Sequence, residues 1–238
     1  MRFGQRQFCP SLLMTVLTFA GLIIFVSLGL WQLDRAVFKM NIQNQFEARL
    51  AEKYLAADAE FIRTLDAPYY KVLVEGKYLT DKTMLLDNQL HTGKAGYHVI
   101  TPFRMKGSQQ ILLVNRGWLP LGRDRQQLPK IELPKLSGQV KGILSQVAEG
   151  FRLGEINLTN SWPQLLPFID LDVMQQTFDQ QLLPFVLWLS PEQPGFYIRD
   201  WHPVWYDPEK SRAYAVQWFS FAVILLILFF GLNLRVVK

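Results

Sequence analysis

Two uncharged, strongly apolar stretches sit at opposite ends of this chain and bracket everything else. Residues 7–33 run for 27 positions without a Lys, Arg, Asp or Glu, and residues 213–234 for 22. A bilayer core about 30 Å thick is crossed by roughly 20 apolar residues of helix, so each stretch is long enough to span. The chain is thereby predicted to be pinned to a membrane at both ends, with one large extramembrane segment between. Two spans are too few for a transporter path of the usual kind.

Charge gives the orientation. Outside the two stretches the ends carry only bases, Arg2 and Arg6 at one end and Arg235 and Lys238 at the other. Positive charge in short flanking segments marks the cytoplasmic side. Both termini are therefore expected inside, which divides the chain into a cytoplasmic end (1–10), a first span (11–33), an external domain (34–212), a second span (213–234) and a cytoplasmic tail (235–238). Without the four terminal bases, 21 bases face 20 acids. The net charge of +5 is thus a topology signal, and it gives no reason to expect a nucleic-acid partner. The first stretch exceeds a signal-peptide core and ends in Gly29-Leu30-Trp31-Gln32-Leu33-Asp34-Arg35 without a small-x-small cleavage site, so it reads as an uncleaved anchor. No Arg/Ser-rich transit segment precedes it, which favours a bacterial inner membrane. The single cysteine, Cys9, lies at the edge of the first span. The external domain is expected to hold together without a disulfide.

The external segment begins with helical spacing over 36–54 (Val37, Phe38, Ile42, Phe46, Leu50). From Tyr69 the texture becomes β-branched and aromatic. Strands are predicted at 69–78, 83–86, 97–104, 110–115, 139–144 and 184–190. Turns are predicted at Asp87-Asn88, His91-Thr92-Gly93, Lys106-Gly107-Ser108 and Gly122-Arg123-Asp124. A hairpin is expected over 105–111, an extended linker over 128–136 and a short helix over 167–180, with Asp170 and Asp172 in its first turns. Residues 201–205, with Trp201 and Trp205, read as a segment at the membrane surface. The fold class is α+β: two transmembrane helices flank a β-rich domain, an antiparallel barrel or a sandwich.

The enzyme signatures are missing: there is no GxSxG, HExxH, Walker loop or dinucleotide fingerprint. His91, His98 and His202 share no ligand spacing. His98 lies in an apolar strand and reads as a packed residue. His202, between two tryptophans, is either an interfacial anchor or a group beside a cofactor. Arg116, closing a strand, could grip a carboxylate or simply pair with an acid of the domain. In the second span, Tyr214, Gln217, Trp218 and Phe221 have i, i+3, i+4, i+7 spacing and share one face, suited to helix packing or to a flat ligand.

Four strings in order then resemble one family. They are Gly29-Leu30-Trp31-Gln32-Leu33-Asp34-Arg35, Gly96-Tyr97-His98-Val99-Ile100-Thr101-Pro102-Phe103, Val114-Asn115-Arg116-Gly117-Trp118-Leu119-Pro120 and Tyr214-Ala215-Val216-Gln217-Trp218-Phe219. With the two-span layout they are similar to the Surfeit-locus-one family of cytochrome oxidase assembly factors. The resemblance implies an inner-membrane protein, not an enzyme, whose large domain lies outside. Its partners would be the oxidase core subunit or its haem-delivery machinery, and its cofactor haem a, beside a face of His202, Ser211, Tyr214, Gln217 and Trp218. The family pattern has a His three positions before the Tyr-Ala of the second span. Here Ser211 stands there, and a hydroxyl is a poor iron ligand beside His, Cys or Met. The alternative is a membrane-tethered periplasmic ligand-binding domain not involved in haem.

Overall fold

The computed structural model describes residues 2–236 apart from 4–5, 123–126, 133–136, 148–155, 157, 160 and 203–206. The chain forms two compact units, Met1–Phe46 with Pro203–Lys238, and Glu47–His202.

The first unit is a helix pair closed at one end by a small sheet. Strands β1 (Arg2–Phe3) and β2 (Arg6–Phe8) precede α1 (Leu12–Ala51), and β11 (Leu234–Val236) follows α4 (Pro208–Asn233). β2 lies between β1 and β11, antiparallel to both. The two ends of the chain are therefore hydrogen-bonded to each other at one end of the pair. Ser11 starts α1, its Oγ accepting from Met14 N at 3.3 Å. Asp207 caps α4 by accepting from the backbone N–H groups of Glu209 and Lys210, with Pro208 at the first position. Both helices are long and apolar enough to cross a membrane.

The predicted first span and the predicted helix after it are one rod of 40 residues, about 60 Å long. Nothing in Asp34–Ala51 breaks a helix, since no Pro or Gly occurs there. The rod stops at Ala51, three residues short of the expected end.

Shielded positions along α1 recur at Thr15, Thr18, Leu22, Phe25, Gly29, Gln32, Ala36 and Lys39. The spacing alternates between three and four residues, the period of a left-handed helix pair. On α4 the matching seam is Ser211, Ala215, Trp218, Ala222 and Leu225. Small residues let the rods approach: a Cβ on Gly29 would lie 2.5 Å from the Phe219 ring, and one on Gly21 2.8 Å from Leu225 Cδ2.

The second unit is a barrel. After β3 (Leu55–Ala56) and α2 (Ala59–Thr64) come β4 (Lys71–Tyr78), β5 (Met84–His91), β6 (Lys94–Met105), β7 (Ile111–Pro120), β8 (Ser137–Gln146), β9 (Gln164–Leu166), α3 (Leu171–Phe178) and β10 (Leu182–Leu189). The neighbours run β4–β8–β10–β7–β6, and β6 returns to pair with β4, closing five strands on themselves. β4, β6 and β7 are successive antiparallel neighbours, and β8 comes back beside β4 in a Greek key. Within the closed barrel the antiparallel expectation fails at one seam, because β10 runs parallel to β7, and the short outlying strands β3 and β9 also pair parallel, with β4 and β5. Closure forces a backbone-to-backbone approach at Gly76, where a Cβ would collide with Arg104 O.

The barrel interior is filled by Val72, Val74, Phe103, Leu112, Val114, Leu144, Phe185 and Leu187. A second cluster lies on the other face of the wall, where Ile111, Leu113 and Val186 meet Met174 of α3. This explains the apolar run at the start of β7, Ile111 to Val114: with both faces covered, residues 111–118 are all buried.

Strand boundaries differ from expectation where side chains were weak signals. Asp87-Asn88 is not a turn. It is a bulge inside β5, with Asn88 at φ 57° and the register against β6 shifted between Leu86 and Gln89. Thr92-Gly93 does form the β5–β6 hairpin, both residues having positive φ. The Lys106-Gly107-Ser108 hairpin joins β6 to β7. The predicted helix over 167–180 is α3, with Asp170 as its N-cap rather than within it. α2, β3 and β9 were not anticipated. Arg123 and Asp124 of the predicted Gly122-Arg123-Asp124 turn and the end of the predicted 128–136 linker lie outside the described residues, as does Trp205.

Candidate functional site

The residues singled out in the second span occupy two faces of α4. Ser211, only 2% exposed, and half-buried Trp218 lie in the seam with α1. Trp218 stacks on Phe25 with centroids 6.0 Å apart and planes at 25°. Tyr214, 53% exposed, and Gln217 point out of the seam. The seam needs positions 211, 215, 218, 222 and 225, whereas the face read from spacing was 214, 217, 218 and 221. Small residues carry the contact, and apolar periodicity alone does not register them.

Sequence reading missed the partner of Ser211. Lys39 of α1 donates from Nζ to Ser211 Oγ at 2.9 Å and to the Asp207 carbonyl at 3.1 Å. The same ammonium thus holds the seam serine and the carbonyl at the helix cap. Beside it Arg212 pairs with Glu209 at 2.6 Å and donates to Met40 Sδ at 3.5 Å. The signal that could have found Lys39 was its place in the three-four alternation of α1, three residues after Ala36. The hydroxyl at the position of interest is therefore already engaged and shielded. Among these groups no imidazole or thiolate is offered to an iron, so they do not fit an axial haem ligand at Ser211.

His202 belongs to the barrel unit. It is exposed, and its Nε2 lies 2.7 Å from Asp200 Oδ1. Trp201 beside it packs on the barrel: its indole N–H donates to Leu189 O at 2.8 Å, and its ring stacks on Trp188 at 5.5 Å. His98 meets the edge of Trp201 at 5.6 Å. Burial, with a smaller push from His91, lowers the His98 pKa to about 4, so the ring is neutral near pH 7. It is a packed residue, as its strand pattern suggested. Among the described residues no group of three or more His, Cys, Asp or Glu could hold a metal, and Cys9 is an exposed thiol.

Arg116 is positioned by a bulge. Between the pairs His98↔Trp118 and Ile100↔Asn115, β7 has one residue more than β6. Gly117 takes up the turn at φ 126°, where a side chain would be strained and would meet Tyr197 and Ile198. Arg116 is 3% exposed, lies 5.1 Å over the Tyr197 ring, and donates Nη2 to the backbone carbonyl of Glu132 at 2.6 Å. Among the described residues its partner is thus a carbonyl and not an acid, and burial lowers the guanidinium pKa. Arg199 braces the next loop by donating to the carbonyls of Arg116, Ser190, Gln193 and Pro194. Burial likewise raises the Tyr78 hydroxyl to about 12.

A pair of long apolar helices from the two ends of a chain, with a closed β-barrel inserted between them, defines a membrane-anchored barrel protein. Residues 19–223 match the SURF1 family, and the chain belongs to it. A SURF1-like protein of Monosiga brevicollis is 26% identical over 86% of this chain and 81% of its own length. One of Rickettsia felis is 34% identical over 44% and 45%. The cytochrome oxidase assembly protein SHY1 of Saccharomyces cerevisiae is 26% identical over 55% of this chain and 35% of its own length.

Proposed function

We propose that this protein is a non-enzymatic assembly factor for cytochrome oxidase, a two-pass protein of a bacterial inner membrane with both termini cytoplasmic and the barrel in the periplasm. The observation that carries this reading is the family match, which reaches from the first span through the barrel into the second. A yeast member is named for oxidase assembly, and Rickettsia holds bacterial relatives. The orientation is supported by the four terminal bases and by the sheet that ties both ends together. The protein acts on the oxidase core subunit by holding it. Haem a handling does not run through Ser211, because that hydroxyl is buried and bonded to Lys39.

The test is a strain lacking the gene. Cytochrome c oxidation by its membranes should fall, and the tagged chain should co-purify with the oxidase core subunit. Normal oxidase activity together with no co-purified subunit would sink the assembly reading. A reporter after Lys238 should behave as cytoplasmic and one inserted near Lys106 as external, and the reverse pattern would overturn the topology.

A further inference from the structure

Among the described residues nothing covers the face of α4 turned away from the α1 seam. Ala213, Gln217, Ser220, Ile224, Ile227 and Gly231 are all exposed. They recur at alternating steps of four and three residues, the same period as the seam itself. At about 100° per residue they centre nearly opposite it on the helix.

Most of this face is apolar and needs no protein beside it in a bilayer. Gln217 is the exception. It lies five residues beyond Arg212, the last charge before the apolar stretch, about 7.5 Å deeper along the helix. Other polar groups of α4 turn back on their own backbone: the Ser220 hydroxyl donates to Val216 O at 2.8 Å and the Asn233 amide to Phe229 O at 2.7 Å. The Gln217 carboxamide has no such bond among the described residues. Lipid tails offer neither donor nor acceptor, so a bare amide is costly there.

We propose that this face docks on the same face of a second copy of the chain, α4 against α4, with the two Gln217 carboxamides hydrogen-bonded across the pair. Copies of one chain inserted in one membrane share an orientation. The two-fold axis relating them is therefore normal to the bilayer, and a residue near it meets its own counterpart. A charge there would repel its copy. A carboxamide carries both donors and an acceptor, so it complements itself. Ala213 and Ser220, the face positions before and after Gln217, are small enough for the two backbones to approach. The contact leaves the α1 seam intact, because that seam lies on the other side of α4. It stands on the helix face alone and is independent of the oxidase reading.

The experiment uses the full chain with Cys9→Ser, reconstituted in lipid vesicles at a low protein-to-lipid ratio. Ser220→Cys, on the face, is compared with Leu226→Cys, roughly 120° round the helix. Oxidation with copper phenanthroline should crosslink the first to its copy and leave the second monomeric. Gln217→Leu should lower the association constant about tenfold, and Gln217→Asn, which keeps the carboxamide, should fall between. The unfolding temperature of the dilute monomer in detergent should be the same in Gln217→Leu, since no bond within the chain is lost. That separates loss of the contact from loss of the fold. No crosslink at Ser220→Cys, equal crosslinking at both positions, or a yield indifferent to Gln217→Leu overturns the proposal. So does a benzophenone carried on Ser220→Cys in native membranes that captures only a different protein, which would assign the face to that protein.

Discussion

Lys39 and Ser211, 172 positions apart in sequence, are joined across the helix pair by a 2.9 Å hydrogen bond. The same ammonium reaches the carbonyl of Asp207, whose carboxylate caps α4. The pairing of the two rods and the start of the second are thus tied to one side chain. Lys39→Ala should cost about 1 kcal/mol, the net worth of a typical hydrogen bond. Ser211→Ala should cost less, because the ammonium keeps Asp207 O. Thermal unfolding in detergent of both single variants measures the order, and a larger loss in Ser211→Ala would contradict it.

The approach at Gly29 sets the second prediction. An added methyl group would sit 2.5 Å from the Phe219 ring, and overpacking costs about 1–3 kcal/mol. Gly29→Ala should destabilise by that amount, and Phe219→Leu should restore part of it in the double variant. The readout is the coupling term of a double-mutant cycle. Additive losses would mean that the ring and the glycine are not in contact.

How far the fold could be read from sequence follows the strength of each residue's signal. The two terminal helices were legible because 27 and 22 uncharged, apolar positions favour long helices. β7 was found by its apolar run and β10 by the strand predicted at 184–190, but their parallel pairing was not foreseen, since strand direction leaves no mark in composition. Asp87-Asn88 carries turn chemistry yet folds as a bulge, because the strand continues on both sides. Of the site residues, Ser211 and Trp218 lie together in the seam of α4, and Tyr214 and Gln217 do not. Lys39 was passed over because a lysine just beyond a membrane span ordinarily reads as a solvated charge.

His98 gives the barrel a pH dependence of known sign. Its pKa is lowered from 6.5 to about 4 by burial, so the folded state disfavours the proton. Its contribution is intact above the unfolded value and is lost as pH falls from about 6.5 toward 4. In that window the unfolded chain binds more protons, and stability should rise with pH by up to ~1.4 kcal/mol per unit. Trp118 and Trp201 pack beside the ring and do not titrate; His91 is the neighbour that adds charge. His98→Asn should flatten the denaturant midpoint between pH 4.5 and 6.5. An unchanged slope would assign the dependence to other groups.

The last prediction concerns haem and separates ligand chemistry from space. If an imidazole at position 211 were all that an iron site lacked, Ser211→His would acquire a haem absorbance on its own. The seam argues otherwise, since Ser211 is 2% exposed and Lys39 occupies its polar side. A larger ring there must displace the ammonium, so Ser211→His alone should unfold at a lower temperature and stay colourless when purified from haem-replete cells. Removing the obstruction as well, in Ser211→His with Lys39→Ala, should let the imidazole reach a ligand, because His binds haem iron where a hydroxyl does not. A Soret band should then appear in the double variant. Stoichiometric haem in the natural protein, unchanged by either substitution, would mean that the iron is held elsewhere. His202, exposed and paired with Asp200, would then be the next imidazole to replace.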